Sequence, residues 1–314
     1  MEFGVVFPSH DIGTDPGEIR AFAQGADALG FTHLLAYDHV LGADPDRPGG
    51  WKGVYDKDDA FHEPLTLFAY LAGVTERLGF ISNVMIAPQR QTALIAKQAA
   101  EVAIVSGGRL RLGIGIGWNK LEYDALGVPF SNRGALLEEQ VELMRQLWTL
   151  DSVDFQGRFH RIDKASILPR PAEPVPIWFG GAAEPALRRA GRIGDGWAPL
   201  GNPSKNSQRA LEVIRSVLQE EGRDPASFGI QAQAQFKGGD PERWHKHAEA
   251  WRELGATHLA IATTGAGLRS ADEHLGAINA PVTVVRLPGK RHDLKGADGA
   301  VCDAVASWLG GLTA

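Results

Sequence analysis

The chain has 314 residues, 44% of them hydrophobic and 22% charged, enough to bury the core of one large α/β domain or two smaller ones. A net charge of -6 offers nucleic acid no basic face, and no run of about eighteen apolar residues is present to span a membrane. Cys302 is the only cysteine, which excludes an intramolecular disulfide and a cysteine-rich zinc site, and the amino terminus lacks a signal-peptide pattern, so a cytoplasmic location is expected.

Short aliphatic or β-branched runs at residues 3–7, 33–37, 79–84, 110–116, 176–179, 196–199, 228–235 and 258–262 predict strands. Helical patterns fall between them at 16–29, 64–77, 93–106, 134–148, 185–192, 204–221, 241–254 and 270–279. Pro16, Pro64, Pro185 and Pro241 stand where first-turn prolines belong, and Gly107-Gly108 closes a helix. This alternation predicts parallel strands, and eight strand–helix pairs predict a closed (β/α)8 TIM barrel over residues 1–280, with an open doubly wound sheet as the competing arrangement. Residues 42–62, rich in Gly, Pro, Asp and Trp, are too long for an ordinary connection and could close over a site. Within a second insertion, 151–174, residues 153–162 alternate about Gly157 like a hairpin. Residues 281–314 are expected to form a carboxyl-terminal extension, a strand at 281–286 and a helix at 298–309, serving as a cap or as a subunit contact in a homodimer.

Residues 110–119 read Leu-Arg-Leu-Gly-Ile-Gly-Ile-Gly-Trp-Asn. Aliphatics alternate with glycines at strand period, so one face is greasy while Gly113, Gly115 and Gly117 leave the other bare. That bare face suits a planar cofactor, or it permits close backbone packing or a bulge. In a barrel the chemistry gathers at the carboxyl ends of the strands. The residues there are Pro8, Ser9 and His10; Asp38 and His39; Asn83 and Val84; Gly117, Trp118 and Asn119; and Gly180, Gly181 and Ala182. A histidine such as His39, beside an aspartate, can donate or accept a proton near neutral pH, or the pair can be structural. Residues 177–186 run from strand through a glycine turn into a helix start, where free backbone amides favour phosphate. Neither Gly113-x-Gly115 nor Gly115-x-Gly117 has the third glycine of a dinucleotide fingerprint, and no P-loop occurs.

Taken together, the chain from residue 3 to residue 279 resembles the luciferase-like monooxygenase superfamily, and within it the branch that uses the deazaflavin coenzyme F420. The segments that carry the likeness are Ala28-Leu29-Gly30-Phe31 leading to Asp38-His39; Glu63-Pro64-Leu65 through Asn83-Val84; Gly107-Gly108-Arg109 through Gly115-Ile116-Gly117-Trp118 with Glu122-Tyr123; and Trp178-Phe179-Gly180-Gly181 through Gly194-Asp195-Gly196-Trp197. The resemblance implies a (β/α) barrel and hydride transfer between F420 and a small organic substrate, with FMN and molecular oxygen as the alternative within the same superfamily. It implies that His39 is the proton donor or ring-stabilising group and that Asp38 contacts the cofactor. It also implies a non-proline cis peptide at Asn83-Val84 backing the ring, with Ile86, Ile116 and Gly117 along the cofactor and Gly180, Gly181 and Ala182 near its phosphate. Trp118 stands where the branch that oxidises glucose 6-phosphate has a glutamate, which argues against that substrate. Trp118, with Trp51, Phe61 and His10, would instead wall an apolar or planar substrate. Two other classes compete: a hydrolase or His-carboxylate metal enzyme built on His10, Asp11, His39, His62 and Glu63, and a cofactor-binding protein without turnover. Residues 288–293 faintly resemble the last loop of α/β-hydrolases, but no GxSxG nucleophile elbow exists to complete a triad.

Overall fold

In a computed structural model of the chain, residues 1–236 and 241–285 are described. Eight parallel strands form the wall of the barrel: β1 (Glu2–Val6), β2 (His33–Ala36), β3 (Gly79–Ser82), β5 (Leu110–Gly115), β8 (Ile177–Gly180), β9 (Gly196–Ala198), β10 (Gly229–Gln235) and β11 (His258–Ala262). Hydrogen bonding runs in the order β3-β2-β1-β11-β10-β9-β8-β5, and pairing of Phe80 with Leu110 and Ile81 with Arg111 joins β3 to β5 and closes the ring. All eight expected strands are present, and the open sheet is ruled out by that closing pair. A two-residue strand β4 (Met85–Ile86) resumes the line of β3 and pairs with Ile114 and Gly115. Strands β6 (Val153–Gln156) and β7 (Arg161–Ala165) form the expected antiparallel hairpin.

The helices outside the wall are α1 (Pro16–Ala28), α2 (Pro64–Ala72), α3 (Thr92–Val105), α5 (Arg133–Thr149), α6 (Glu184–Ile193), α7 (Lys205–Glu220), α8 (Pro241–Glu253) and α9 (Ala271–Val285). A short α4 (Lys120–Ala125), absent from the periodicity, follows β5. Outward strand side chains such as Val5, Leu34, Phe80, Leu112, Ile114 and Ile177 pack with the helices in one large core. A smaller group, Val6, Leu35, Ile81, Trp178, Ala260 and Ala262, fills the barrel interior.

Two expectations change. Helix α2 stops at Ala72 rather than near residue 77, because Arg109 donates to the carbonyls of Ala72 at 3.0 Å, Thr75 at 3.1 Å and Leu78 at 2.7 Å. With those acceptors satisfied by a side chain, the chain turns without extending the helix. The strand expected at 281–286 is helical through Val285, as the end of α9. The helix at 298–309 and the 288–293 loop lie outside the described residues.

Candidate functional site

His39 follows β2 at the carboxyl end of the barrel, where its Nδ1 lies 3.3 Å from Oε1 of Glu122 on α4. Glu122 is 1% exposed and also accepts from the Val40 amide at 2.8 Å, the Leu41 amide at 3.3 Å and Gln89 Nε2 at 3.2 Å. Burial pushes its carboxyl up, but the hydrogen bonds from His39, Gln89 and Val40 outweigh burial and hold it below the ordinary value. A carboxylate only accepts, so Nδ1 of His39 carries the hydrogen between them. That fixes the tautomer and leaves Nε2 as the nitrogen available to a reactant.

Residues 42–62 fold back over this histidine as an aromatic cover. The His39 ring lies 4.7 Å from Phe61, 5.0 Å from Tyr55 and 6.0 Å from Trp118. Trp51 stacks on Trp118 at 5.9 Å and donates from Nε1 to the Tyr55 carbonyl at 2.6 Å. His10 meets Phe61 edge-on at 4.5 Å, stacks on Tyr55 at 5.7 Å and pairs through Nδ1 with Asp59 at 3.2 Å. A cavity of about 140 Å³ remains between His39, Tyr55, Asp59, Phe61 and Trp118. At about 30 Å³ per water molecule that space is small for an organic reactant. Trp118 is 49% exposed, which leaves one wall of the cover weakly held.

The Asn83-Val84 peptide is cis. Four residue steps separate Ile81 from Met85 on this edge where three separate Arg111 from Ile114 on β5, so the segment between β3 and β4 carries one extra residue as a bulge. Val84 occupies the bulge, and the glycines make room for it. A Cβ on Gly115 would lie 2.7 Å from Val84 Cγ2, one on Gly180 2.7 Å from Val84 Cγ1, and one on Gly117 2.9 Å from Ile86 Cγ2. A Cβ on Gly113 would run into the Ser82 carbonyl. The bare face of β5 therefore does not itself receive a flat molecule, as one of the two readings of the stripe held; it receives the bulge, which was the other. Val84 is only half-buried, so one flank of it faces outward in turn. Asn83 beside it is 4% exposed, and neither its Oδ1 nor its Nδ2 has a hydrogen-bond partner. Buried amides are nearly always paired, so this side chain has donor and acceptor capacity that the fold itself leaves unused.

Asp38 is 3% exposed and occupied by protein partners: Arg90 binds both of its oxygens at 2.8 Å and the Ile86 amide donates to Oδ2 at 2.9 Å. Its carboxylate ties β4 to the end of β2. Beyond β8, Gly181 has φ +105° and its carbonyl accepts from Trp197 Nε1 at 2.9 Å, while Ala183, at the start of α6, caps the helix with no side chain. Of the first three positions of α6, Pro185 carries no amide hydrogen and the Ala186 amide donates to the Ala183 carbonyl at 2.8 Å, which leaves the Glu184 amide beside Gly180, Gly181 and Ala182. Ile116 accepts at its carbonyl from the Tyr123 hydroxyl at 2.7 Å.

The structure brings together His39, His10, Trp51, Phe61 and Trp118 as expected, and adds Glu122, Tyr55 and Asp59, which sequence reasoning had not placed in the site. Glu122 had a signal: Asn119-x-x-Glu122 has the form of a helix start, and Asn119 caps α4 by accepting from the Leu121 amide at 3.1 Å. The His-carboxylate metal set does not converge. Glu63 caps α2 through the Thr66 amide, Asp11 accepts from the Gly265 amide, and His62 packs edge-on against Phe7. Among the described residues no group of three or more His, Cys, Asp or Glu side chains is placed to hold a metal ion.

Residues 1–283 match the sequence profile of luciferase-like monooxygenases. The chain belongs to that family. This luciferase-like chain is 35% identical over 207 residues to an uncharacterized protein of Mycobacterium tuberculosis, covering 64% of this chain and 71% of that one. It is 30% identical over 253 residues to the F420-dependent hydroxymycolic acid dehydrogenase of the same species, covering 79% and 66%. Among solved structures, an F420-dependent secondary alcohol dehydrogenase in complex with an F420-acetone adduct shares the fold with a TM-score of 0.76, at 17% identity over 91% of this luciferase-like chain and 99% of the other.

Proposed function

We propose that this protein is an F420-dependent oxidoreductase acting on a small apolar or planar substrate. The observation that carries the reading is the His39–Glu122 pair, an imidazole held in one tautomer at the barrel mouth, next to a bulge whose buried Asn83 amide lacks a partner. Family relatives named for F420 supply the identity of the cofactor. The deazaflavin, when bound, supplies a carbon centre that accepts or delivers hydride.

The chain's own residues do the rest. Val84, Asn83, Ile86, Ile116 and Gly117 form the surface against which the ring rests, with the Asn83 amide meeting its polar edge. Gly180, Gly181 and Ala182 hold its phosphate together with the Glu184 amide at the start of α6. Asp38 contributes at one remove, by fixing Ile86 and Arg90. His39 holds or moves a proton at Nε2 as charge develops on the substrate oxygen or the ring, and Glu122 stabilises the imidazolium form. Trp51, Phe61, Trp118 and His10 enclose the substrate and exclude water when the 42–62 cover closes. With Trp118 in the wall, no carboxylate stands at the position occupied by glutamate in the glucose-6-phosphate branch.

Titration of the purified protein with F420 and with FMN, followed by calorimetry, tests the assignment. Saturable F420 binding at least about tenfold tighter than FMN, a gap of 1.4 kcal/mol, is expected. Tight FMN binding without affinity for F420 would transfer the site to the flavin monooxygenases.

A further inference from the structure

The end of the barrel opposite His39 carries a second cavity, of about 730 Å³. Arg111 and Trp178, each the second residue of its strand, line it together with Pro176, Phe228, Thr257 and His258. At about 3.3 Å per residue, some 20 Å of strand separates Arg111 from Gly117, so this cavity shares no wall with the His39 site.

Arg111 is the unusual group in it. Its guanidinium lies over the Trp178 ring, 5.3 Å from the centroid, and donates to Nε2 of His258. Burial presses the guanidinium down to about 10, yet among the described residues no carboxylate comes within 4.0 Å of it. Neither acidic neighbour reaches the guanidinium fork. Glu2, more than half exposed, lies 3.2 Å from the same His258 Nε2 that accepts from Arg111, so it receives no hydrogen there and favours the Arg111 charge only through space, while Asp195 is held by Arg145 at 3.0 Å and by the Ile177 amide at 2.8 Å. Burial first, and the nearby Arg111 charge second, hold His258 and His33 in the neutral form, so neither adds charge of its own. A largely buried guanidinium whose hydrogen-bond partner is a neutral imidazole and whose nearest carboxylate, Glu2, acts only through space is costly to keep, and an anion bound on its fork would relieve that cost. The walls of Trp178, Pro176 and Phe228 around it are apolar, and the volume lies in the range of small-molecule sites, about 300–1,000 Å³.

We propose that this cavity binds a carboxylate with a planar apolar body, the carboxylate on the fork of Arg111 and the body along Trp178, Pro176 and Phe228. The site is independent of the redox reading, since none of the residues lining it lines the His39 cavity.

Calorimetric titration with 2-naphthoate tests it, with neutral 2-naphthamide as the control. Wild-type protein is expected to bind one equivalent of the acid and none of the amide. Arg111→Met weakens binding at least about tenfold, the scale of a lost hydrogen bond to a charged group. Arg111→Lys, which keeps the charge and loses the fork, falls between the two. Glu2→Gln removes a like charge from the exposed rim and tightens binding severalfold, a readout that holds even if an Arg111 variant does not fold. Absence of saturable binding, equal affinity in wild type and Arg111→Met, or no tightening in Glu2→Gln overturns the proposal.

Discussion

Replacing Glu122 by Gln isolates what the carboxylate does for His39. The change is nearly isosteric, and the pocket can absorb it: Gln89 donates from Nε2 to Glu122 while its own Oε1 is buried without a partner, so a flip of the Gln89 amide offers an acceptor to the new NH₂ group. The remaining oxygen still accepts from the Val40 and Leu41 amides. Stability is therefore expected to change by no more than about 1 kcal/mol, since one charged acceptor becomes neutral and the flip only exchanges an unpaired Gln89 oxygen for an unpaired NH₂ at the same place. The rate responds differently. A hydrogen bond to a charged group is worth about 1.5–3 kcal/mol, and if it acts on the imidazolium form only as charge develops, its loss slows turnover about ten- to hundredfold. The assay is kcat and KM with F420, followed by the absorbance of the deazaflavin, alongside calorimetric F420 affinity and thermal melting. Nitrogen-15 NMR of labelled histidine gives a readout independent of turnover, with the hydrogen of His39 on Nδ1 in the wild type and shared between the two nitrogens in Glu122→Gln. An unchanged kcat with an unchanged tautomer, or a rate loss matched by equal loss of melting stability, would refute the reasoning.

Three further outcomes follow from the geometry. Gly115→Ala puts a Cβ 2.7 Å from Val84 Cγ2 and is expected to cost about 1–3 kcal/mol as overpacking, with much of that recovered in Gly115→Ala/Val84→Ala; chemical denaturation of the four proteins in the cycle measures the coupling, and strict additivity would deny the contact. Asp38→Asn leaves Arg90, which is 15% exposed, with Glu63 at 3.7 Å as its carboxylate partner, and is expected to lower stability by about 3 kcal/mol; an unaltered melting curve with only weakened F420 binding would make Asp38 a cofactor contact after all. His258 titrates near 3 in the fold against an ordinary 6.5, so between those values the unfolded chain takes up a proton that the folded chain refuses. Its stabilising contribution is complete above about pH 6.5 and is lost as pH falls toward 3, amounting to a few kcal/mol, and melting curves of His258→Gln should lose that part of the acid sensitivity.

The barrel was legible because its signals are local. Each of the eight strands is a short apolar run set off by a helix with its own start signals, and Asp15 and Glu63, which cap α1 and α2 directly before first-turn prolines, are such signals. His39, Trp51, Phe61 and Trp118 were legible for a different reason: in a barrel, residues just past the strands and in the long 42–62 insertion meet at one end whatever the details. Glu122 was not, because α4 has only six residues and too few turns to show a period, and because its partner is 83 positions away. The Asp38–Arg90 pair was hidden likewise by a separation of 52 residues, and a dipeptide such as Asp38-His39 says nothing of which side chain turns inward. Arg111 sits inside the most conspicuous stretch of the chain, yet the pattern points at the glycines after it. Nothing in a sequence marks a cation with no carboxylate on its fork.

The glycines show how a correct pattern can carry an indirect meaning. Val84 needs space on two sides at once, from Gly115 on β5 and from Gly180 on β8, residues 65 positions apart that meet only because those two strands pair, Gly113 with Trp178 and Ile114 with Phe179. One extra residue between β3 and β4 can be carried only where both neighbours have given up their side chains. The platform of the proposed cofactor site is therefore held by packing, and His39 beside it is held by a hydrogen bond to a buried carboxylate. These two supports fail in different ways. Added volume at Gly115 or Gly180 should damage cofactor binding and stability together, whereas loss of charge at Glu122 should damage turnover and spare both. A variant at Gly180 that keeps full F420 affinity would mean that Val84 and its bulge have no part in holding the ring.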